Sequence, residues 1–546
     1  MKEGTTVHTV PQWMTEDIAV TCRTGCADPY REVQIAGTFT HGDGTSLTLD
    51  AFWDGGDRFV VRFAPTQTGI WHYRIAHGDE TLAEGELTCV PYTGENALYR
   101  HGFLHVTAGE RFLRHADGTP FFWLGDTHWL GLGGRERLDS SNFPLFSSMF
   151  RGTADLRRMQ GYTVYQMNFF LSAAGDCDGT GTSNEGGKLW LDRPFGQLNA
   201  AFFQNTDERL RYLVSKGITP CLGMDWGHAP LRENYDEFTR AVRYVAARYA
   251  ALPVVWFVAG EFAGNAHWQR WDGVARELRA HDPYRHVMTI HGCGENFVAD
   301  PNDPPHAMAD VFRDADWCDM IMIQTGHLPR VPDRNVWRYY YDKTPVKPIF
   351  EAEEAYEGIW EVREPLTREQ AYLSVMHGAF GVTYGAEGVW DATWDTNDVH
   401  QVVAPWWPIP WYDAVLLPAG RQMGYLRQIF ESVDWWDLVP VDDLRLSHPL
   451  GTMRDIVAKA DPARDQVLIY YPSSPEDYDT LVQLPGLRPG AVYAAAWANP
   501  MTGEQKPAPD LTADADGVLT APPRTFKAFD RMLILRRLIL RQKENA

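Results

Sequence analysis

The sequence predicts an α/β protein: a (β/α)8 TIM barrel flanked by an N-terminal and a C-terminal β-sandwich. Three observations lead there. At 546 residues the chain exceeds one ordinary domain of ~150 residues, but it has room for a barrel of roughly 250 plus further units. Its middle region alternates apolar strand-like runs with helical patterns, the signature of parallel strands joined by helices. Its two ends lack helical periodicity and read as short strands between turns. These shifts of pattern divide the chain into 1–95, 96–433 and 434–546.

In the first region the runs REVQIAGTFT, SLTLDAFWD, DRFVVRFAP and GIWHYRIAHG are separated by HGDG, DGG and PTQTG, as in a small β-sandwich. The middle region supplies TPFFWLGD, YTVYQMNFF, GITPCLGMD, LPVVWFVAGE, RHVMTIHG, CDMIMIQTG, KPIFEAE and GVTYGAEG as strands. Helical patterns between them include NTDERLRYLVSKG, capped by Asn205 or Thr206, and TREQAYLSVMHGAF, opened by Thr367 and Gln370 at capping-box spacing. An open doubly wound sheet would show a Gly-rich phosphate loop after its first strand. FFWLGDTHW is not one, so the closed barrel is favoured. A helix over LPAGRQMGYLRQIFES closes this region. MRDIVAKA, DQVLIYYPS, DTLVQLPG, AVYAAAWANP and RMLILRRLIL then form the second sandwich.

Composition narrows the function. Aromatic residues make up 13% of the chain, which fits either large cores or flat rings that stack on the C–H faces of sugars. The net charge of −22, with no Lys/Arg-rich block, disfavours nucleic acid and anionic membrane as partners. MKEGTTVHTVPQWM has no apolar leader core, and no apolar run approaches the ~20 residues of a membrane span. Cysteines 22, 26, 89, 177, 221, 293 and 318 form no CxxC pair and read as buried thiols of a cytoplasmic protein. Cys22 and Cys26 are the one pair close enough to bridge a turn. No cofactor is expected, and homo-oligomerisation stays open.

Barrels place function at the C-terminal ends of their strands. The strands end, in order, on Asp126, His128 and Trp129; Gln166 and Asn168; Asp225, Trp226 and His228; Glu261; His291; Gln324 and His327; Glu351, Glu353 and Glu354; and Tyr384, Glu387 and Trp390. Amides, carboxylates, imidazoles and indoles together suit a polyhydroxylated ligand. Glycoside cleavage needs one carboxyl to protonate the leaving oxygen and a second to attack the anomeric carbon or activate water. Glu261 and the strand-seven glutamates are the candidates, because the apolar run VVWFVA carries Glu261 into the mouth and strand seven lies across from it; four glutamates, Glu353 among them, crowd that loop. Glu351, Glu354 and Glu357 read as solvated loop residues or salt-bridge partners. The histidines show no His-x-His spacing and read as hydrogen-bonding groups, with no metal site expected. Cys221 and Cys293 lack a paired histidine, and no GxSxG elbow is present.

At these residues the chain resembles the apiosidase-like glycoside hydrolases. GTFT with FWDGGDRFVVRFAPTQTGIWHYRI is similar to the Ig-like domain that precedes such barrels. ADGTPFFWLGDTHW is similar to the family's first strand, AYLSVMHGAFGVTYGAEGVWD to its seventh helix and eighth strand, LLPAGRQMGYLRQIFES to its closing helix, and WANPMTGE to the sandwich that follows. The resemblance implies a retaining mechanism, with Glu261 in WFVAGEF as acid/base and Glu353 in KPIFEAEEAYEG as nucleophile. Two departures stand out: Gly260 where many related barrels carry Asn, and Glu261 where apiosidases tend to use Asp.

The leading expectation is an exo-acting retaining glycosidase releasing a sugar, such as the pentoses apiose or arabinose, from plant-derived oligosaccharides or glycosides. Asp126, His128, Gln166, Asn168, Asp225, His291, Gln324 and Tyr384 would hold hydroxyls; Trp129, Trp226 and Trp390 would stack on rings. The alternatives are a non-catalytic carbohydrate-binding barrel and a metal-dependent hydrolase.

Overall fold

The computed structural model describes residues 8–538 except 24, 170, 172–181, 227–233, 262–268, 293, 295–309, 333–334, 399–407, 474–479 and 524–528. His228, Cys177 and Cys293 lie outside the described residues. Eight parallel strands form the central sheet: Trp123–Thr127, Val164–Asn168, Thr219–Gly223, Val255–Phe257, Met288–Thr289, Ile321–Gln324, Ile349–Glu353 and Gly381–Tyr384. Numbered first to eighth, they are ordered 5-4-3-2-1-8-7-6. A parallel bridge between His291 and Met322 brings the fifth strand back to the sixth and closes the circle. The interior is packed: Trp123 lies against Phe350 at 4.5 Å, and its Nε1 donates to Thr383 Oγ1 at 2.9 Å.

Two helix starts differ from the sequence expectation. The helix before the third strand runs Ala200–Ser215 with Asn199 as its cap, so Asn205 and Thr206 lie inside it. The helix before the eighth strand runs Glu364–Met376 with Pro365 in its first turn. Thr367 and Gln370 are therefore not a capping box. Thr367 Oγ1 donates to the Ala355 carbonyl at 3.0 Å, and Gln370 Oε1 accepts from the Ala355 N–H at 3.3 Å, so both hold the loop just beyond Glu353. Every residue from Thr367 to Met376 is buried, because the C-terminal sheets cover the face that most barrel helices show to water. Arg368 meets Asp530 at 2.7 Å, and Tyr372 stacks on Tyr470 at 5.0 Å.

The N-terminal region is two facing sheets. One holds His8–Pro11, Ala36–His41, Ser46–Asp50, Gly69–His77 and Glu80–Val90; the other holds Glu16–Thr21, Phe52–Trp53 and Arg58–Phe63. Phe39, Phe63, Trp71 and Leu87 fill the space between them. The C-terminal region likewise pairs a six-stranded with a three-stranded sheet around Val467, Ile469, Tyr493 and Leu533. Among the described residues Cys22, Cys89, Cys221 and Cys318 are free thiols.

The seam between N-terminal sheets and barrel is ionic. Buried Arg62 meets Asp17 at 2.7 Å and Asp207 at 2.8 Å, and Arg248 joins Asp207 at 2.8 Å and Asp54 at 3.0 Å. Arg62→Leu leaves Asp207 short of one cation in a dry setting, and a loss of about 3 kcal/mol in urea denaturation is expected. Beside this network lies a half-open cavity of ≈ 290 Å³ lined by Tyr30, Trp53, Tyr244 and three arginines. Those cations are already engaged: Arg31 with Asp28 and Glu237, Arg240 with Glu237, and Arg243 with Glu277.

Candidate active site

Side chains alternate along a strand, so in a barrel every second one faces the axis. On the fourth-strand path Phe257 faces inward, toward Trp129 at 5.9 Å and His291 at 6.5 Å, and Glu261 follows at the mouth. Both carboxylate oxygens of Glu261 are engaged. Gln324 Nε2 donates to Oε1 at 2.9 Å, and Trp226 Nε1 donates to Oε2 at 3.3 Å. Glu261 has a φ of 39°, the left-handed region that costs an ordinary residue energy and is tolerated where surroundings dictate it.

Gly260 is explained by Trp226. A Cβ at position 260 would lie 2.1 Å from Cε3 of that indole, so the ring occupies the space an asparagine side chain would need. Trp226 also packs on Trp129 at 4.5 Å and on His291 at 5.5 Å.

Glu353 is almost fully buried among imidazoles. His327 Nε2 donates to Oε1 at 2.8 Å, while His291 Nε2 stands 2.9 Å from Oε2, a charge contact out of line for a hydrogen bond. Burial alone would raise the carboxyl, but the contacts with His291 and His327 outweigh it and hold Glu353 down at about 2. Burial likewise opposes charge on His291 and His327, and Glu353 more than offsets it, so both are raised. The field of Glu261 adds to the rise at both imidazoles. Gln324, paired in register with Glu353 on the neighbouring strand, is the residue that donates to Glu261. The two carboxylates thus share one side-chain network.

Other predicted residues fall elsewhere. Asp126 and Tyr384 face outward, toward the helices. Asp126 Oδ2 takes His128 Nε2 at 2.7 Å and Arg157 Nε at 2.5 Å, and His128 Nδ1 meets Glu136 at 2.9 Å. All four are buried. Burial resists charge on His128, but Glu136 and Asp126 overcome it and raise the imidazole to about 9. This network locks the first strand to the helix Met149–Met159, and hydroxyl binding by Asp126 and His128 is corrected accordingly. The Tyr384 hydroxyl donates to Glu357 at 2.7 Å behind the strand. Gln166 faces the axis but lies in the packed interior, donating to the Ala352 carbonyl at 3.2 Å. Asn168 and Asp225 are buried at their strand ends, where Asp225 Oδ1 accepts the Trp226 N–H at 2.9 Å. Trp390 stays at the mouth, 6.3 Å from Tyr356, and its Nε1 donates to Glu387 at 3.0 Å. Tyr356, whose ring packs on His327 at 4.3 Å, is a mouth residue that the reading of strand ends did not include. Glu136 and Arg157 had no signal at all, being assembled from loop and helix.

The extra glutamates of the seventh strand are neither solvated nor salt-bridged among the described residues. Burial pushes Glu351 and Glu357 up to about 7. Glu354 is wholly buried, neither of its carboxyl oxygens has a hydrogen-bond partner among the described residues, and burial drives it well above the ordinary range. Its folded value exceeds its unfolded one, so the stability of its neutral form is lost as pH rises above the unfolded value of ~4.5. Glu354→Met should therefore gain about 1–3 kcal/mol at pH 8 and much less at pH 4.5, read by urea denaturation at both.

A closed parallel barrel presenting paired carboxylates, amides and indoles at the C-terminal ends of its strands has the construction of a glycoside hydrolase. A sequence profile described as "Apiosidase-like, catalytic domain" matches residues 107–437. The chain belongs to that family and is a glycoside hydrolase. A profile for a domain of unknown function matches residues 9–78. Among solved structures, a putative glycoside hydrolase from Bacteroides vulgatus is 18% identical with a TM-score of 0.72, covering 97% of this chain and 100% of its own. A glycoside hydrolase family 5 protein from the same organism is 22% identical at TM-score 0.63, covering 80% and 93%. A further structure described as a glycoside hydrolase is 22% identical at TM-score 0.62, covering 80% and 97%. At these identities the likeness is one of fold. No curated protein matches the chain.

Proposed function

We propose that the chain is a retaining, exo-acting glycosidase with Glu353 as nucleophile and Glu261 as acid/base. It would release a pentose such as apiose or arabinose from plant-derived oligosaccharides or glycosides. The observation that carries this reading is the inequality of the two carboxyls. Glu353 is buried, anionic and clamped by two imidazoles, the state an attacking carboxylate needs. Glu261 is partly open to the mouth and held by weaker N–H donors, as befits a group that exchanges protons with leaving group and water. Trp129 and Trp226 offer the sugar its flat surface, and Gln324 orients the acid/base. The free thiols Cys22, Cys89, Cys221 and Cys318 support a reducing, cytoplasmic setting.

The test is a panel of aryl α- and β-glycosides, apiosides and arabinofuranosides included, with the product's anomer followed by NMR. Release of one sugar with retained configuration supports the whole reading. Inverted product removes Glu353 as nucleophile, and binding without turnover returns the chain to a carbohydrate-binding role.

A further inference from the structure

Residues 351 and 353 should face the same side of their strand, because side chains alternate with period two. They do not. Glu351 points outward, where its Oε2 accepts from Trp337 Nε1 at 2.8 Å, whereas Glu353 points inward to His291 and His327. The register explains the reversal. Ile323 pairs with Glu351 and the next residue, Gln324, pairs with Glu353, so Ala352 is one residue more than the sixth strand can match. Such a bulge turns a side chain to the opposite face and leaves ladder groups to be satisfied by other means.

Side chains supply those means. Oε1 of Glu351 accepts from both the Thr325 N–H and the Glu353 N–H, each at 3.2 Å. It thereby ties the sixth and seventh strands together where their ladder is broken. The carbonyl of the extra residue, Ala352, is taken by Gln166 Nε2 at 3.2 Å. A glutamate buried only to serve the Trp337 indole would need one oxygen; here the other spans two strands.

We propose that Glu351 is a positioning residue: it holds the seventh-strand bulge that aims Glu353 at the anomeric carbon. This rests on Glu353 being the nucleophile, and the test separates the two claims. Glu351→Leu keeps the bulk of the side chain and removes both acceptors. On an aryl glycoside that the full-length protein hydrolyses, kcat should fall on the order of 100-fold with KM nearly unchanged, the scale expected of a misplaced reacting group. Glu351→Gln keeps one oxygen for the two N–H groups and should recover most of that loss. If Glu351→Leu does not fold, Glu351→Asp, which withdraws the acceptor by one methylene, takes its place.

The deciding comparison is made in Glu353→Gly with added azide. There azide attacks the anomeric carbon as the aryl oxygen departs with a proton from Glu261, giving a glycosyl azide and a phenol. Azide needs no aiming by the bulge, so Glu351→Leu should alter the azide-dependent rate by less than about threefold, well short of the effect of a lost orientation. Equal losses in both backgrounds would show a general structural role and overturn the proposal, as would an unchanged kcat in Glu351→Leu alone. If Glu353→Gly forms no glycosyl azide, the nucleophile assignment itself fails and the proposal falls with it.

Discussion

Glu353→Gln is expected to lower kcat on the order of 10⁴-fold or more while the barrel stays folded, because an amide cannot carry out the covalent attack proposed for this carboxylate. The substitution is nearly isosteric and keeps a group that His327 can contact, so thermal denaturation should show little change beside the kinetic loss. The charge is what disappears. Glu353 is held at about 2 by His291 and His327 against its own burial, so it is anionic at neutral pH. The acid limb of kcat/KM is therefore expected to follow another group. The same pairing predicts a second signal. Both imidazoles owe their raised protonation to Glu353, so in Glu353→Gln they should lose protons at lower pH than in wild type, as followed by NMR of the ring protons. Full activity in the variant would remove Glu353 from the chemistry.

Glu261→Ala should give the second largest effect, and one that depends on the substrate. For glycosides with poor leaving groups the loss should be about 10²–10⁴-fold, the range for a positioned general acid. For aryl groups that leave readily as anions, the first step should be spared and only deglycosylation slowed. A plot of log(kcat/KM) against leaving-group pKa should therefore steepen. Gln324 and Trp226, the donors to Glu261, should reproduce part of this pattern when truncated. A loss equal across all leaving groups would assign Glu261 to binding instead.

The misreadings in the mouth share a cause. Asp126, His128 and Tyr384 stand as near their strand ends as Gln324 and His291 do, yet their side chains lie behind the sheet. In a parallel barrel both faces of each strand are buried, so strands such as WLGDT and GVTY carry no apolar–polar alternation to show which parity faces the axis. The helix beginning at Glu364 was misplaced for a related reason. Buried on all sides by barrel and C-terminal sheets, it has no polar face to mark its turns.

What the sequence by itself determined is the order of the elements, the barrel between β-rich ends, and the strand-end positions from which a glycosidase draws its residues. Local hydrophobic runs, turns and spacing suffice for these, because each is a property of neighbouring residues. What only the tertiary structure decided is direction. A one-residue bulge places Glu353 at the mouth and Glu351 behind it; an indole packed on Gly260 sets the surroundings of Glu261; two imidazoles from separate strands keep Glu353 charged. Each depends on groups far apart in the chain meeting at a few ångströms, where register and dielectric rather than residue type determine what a carboxyl can do.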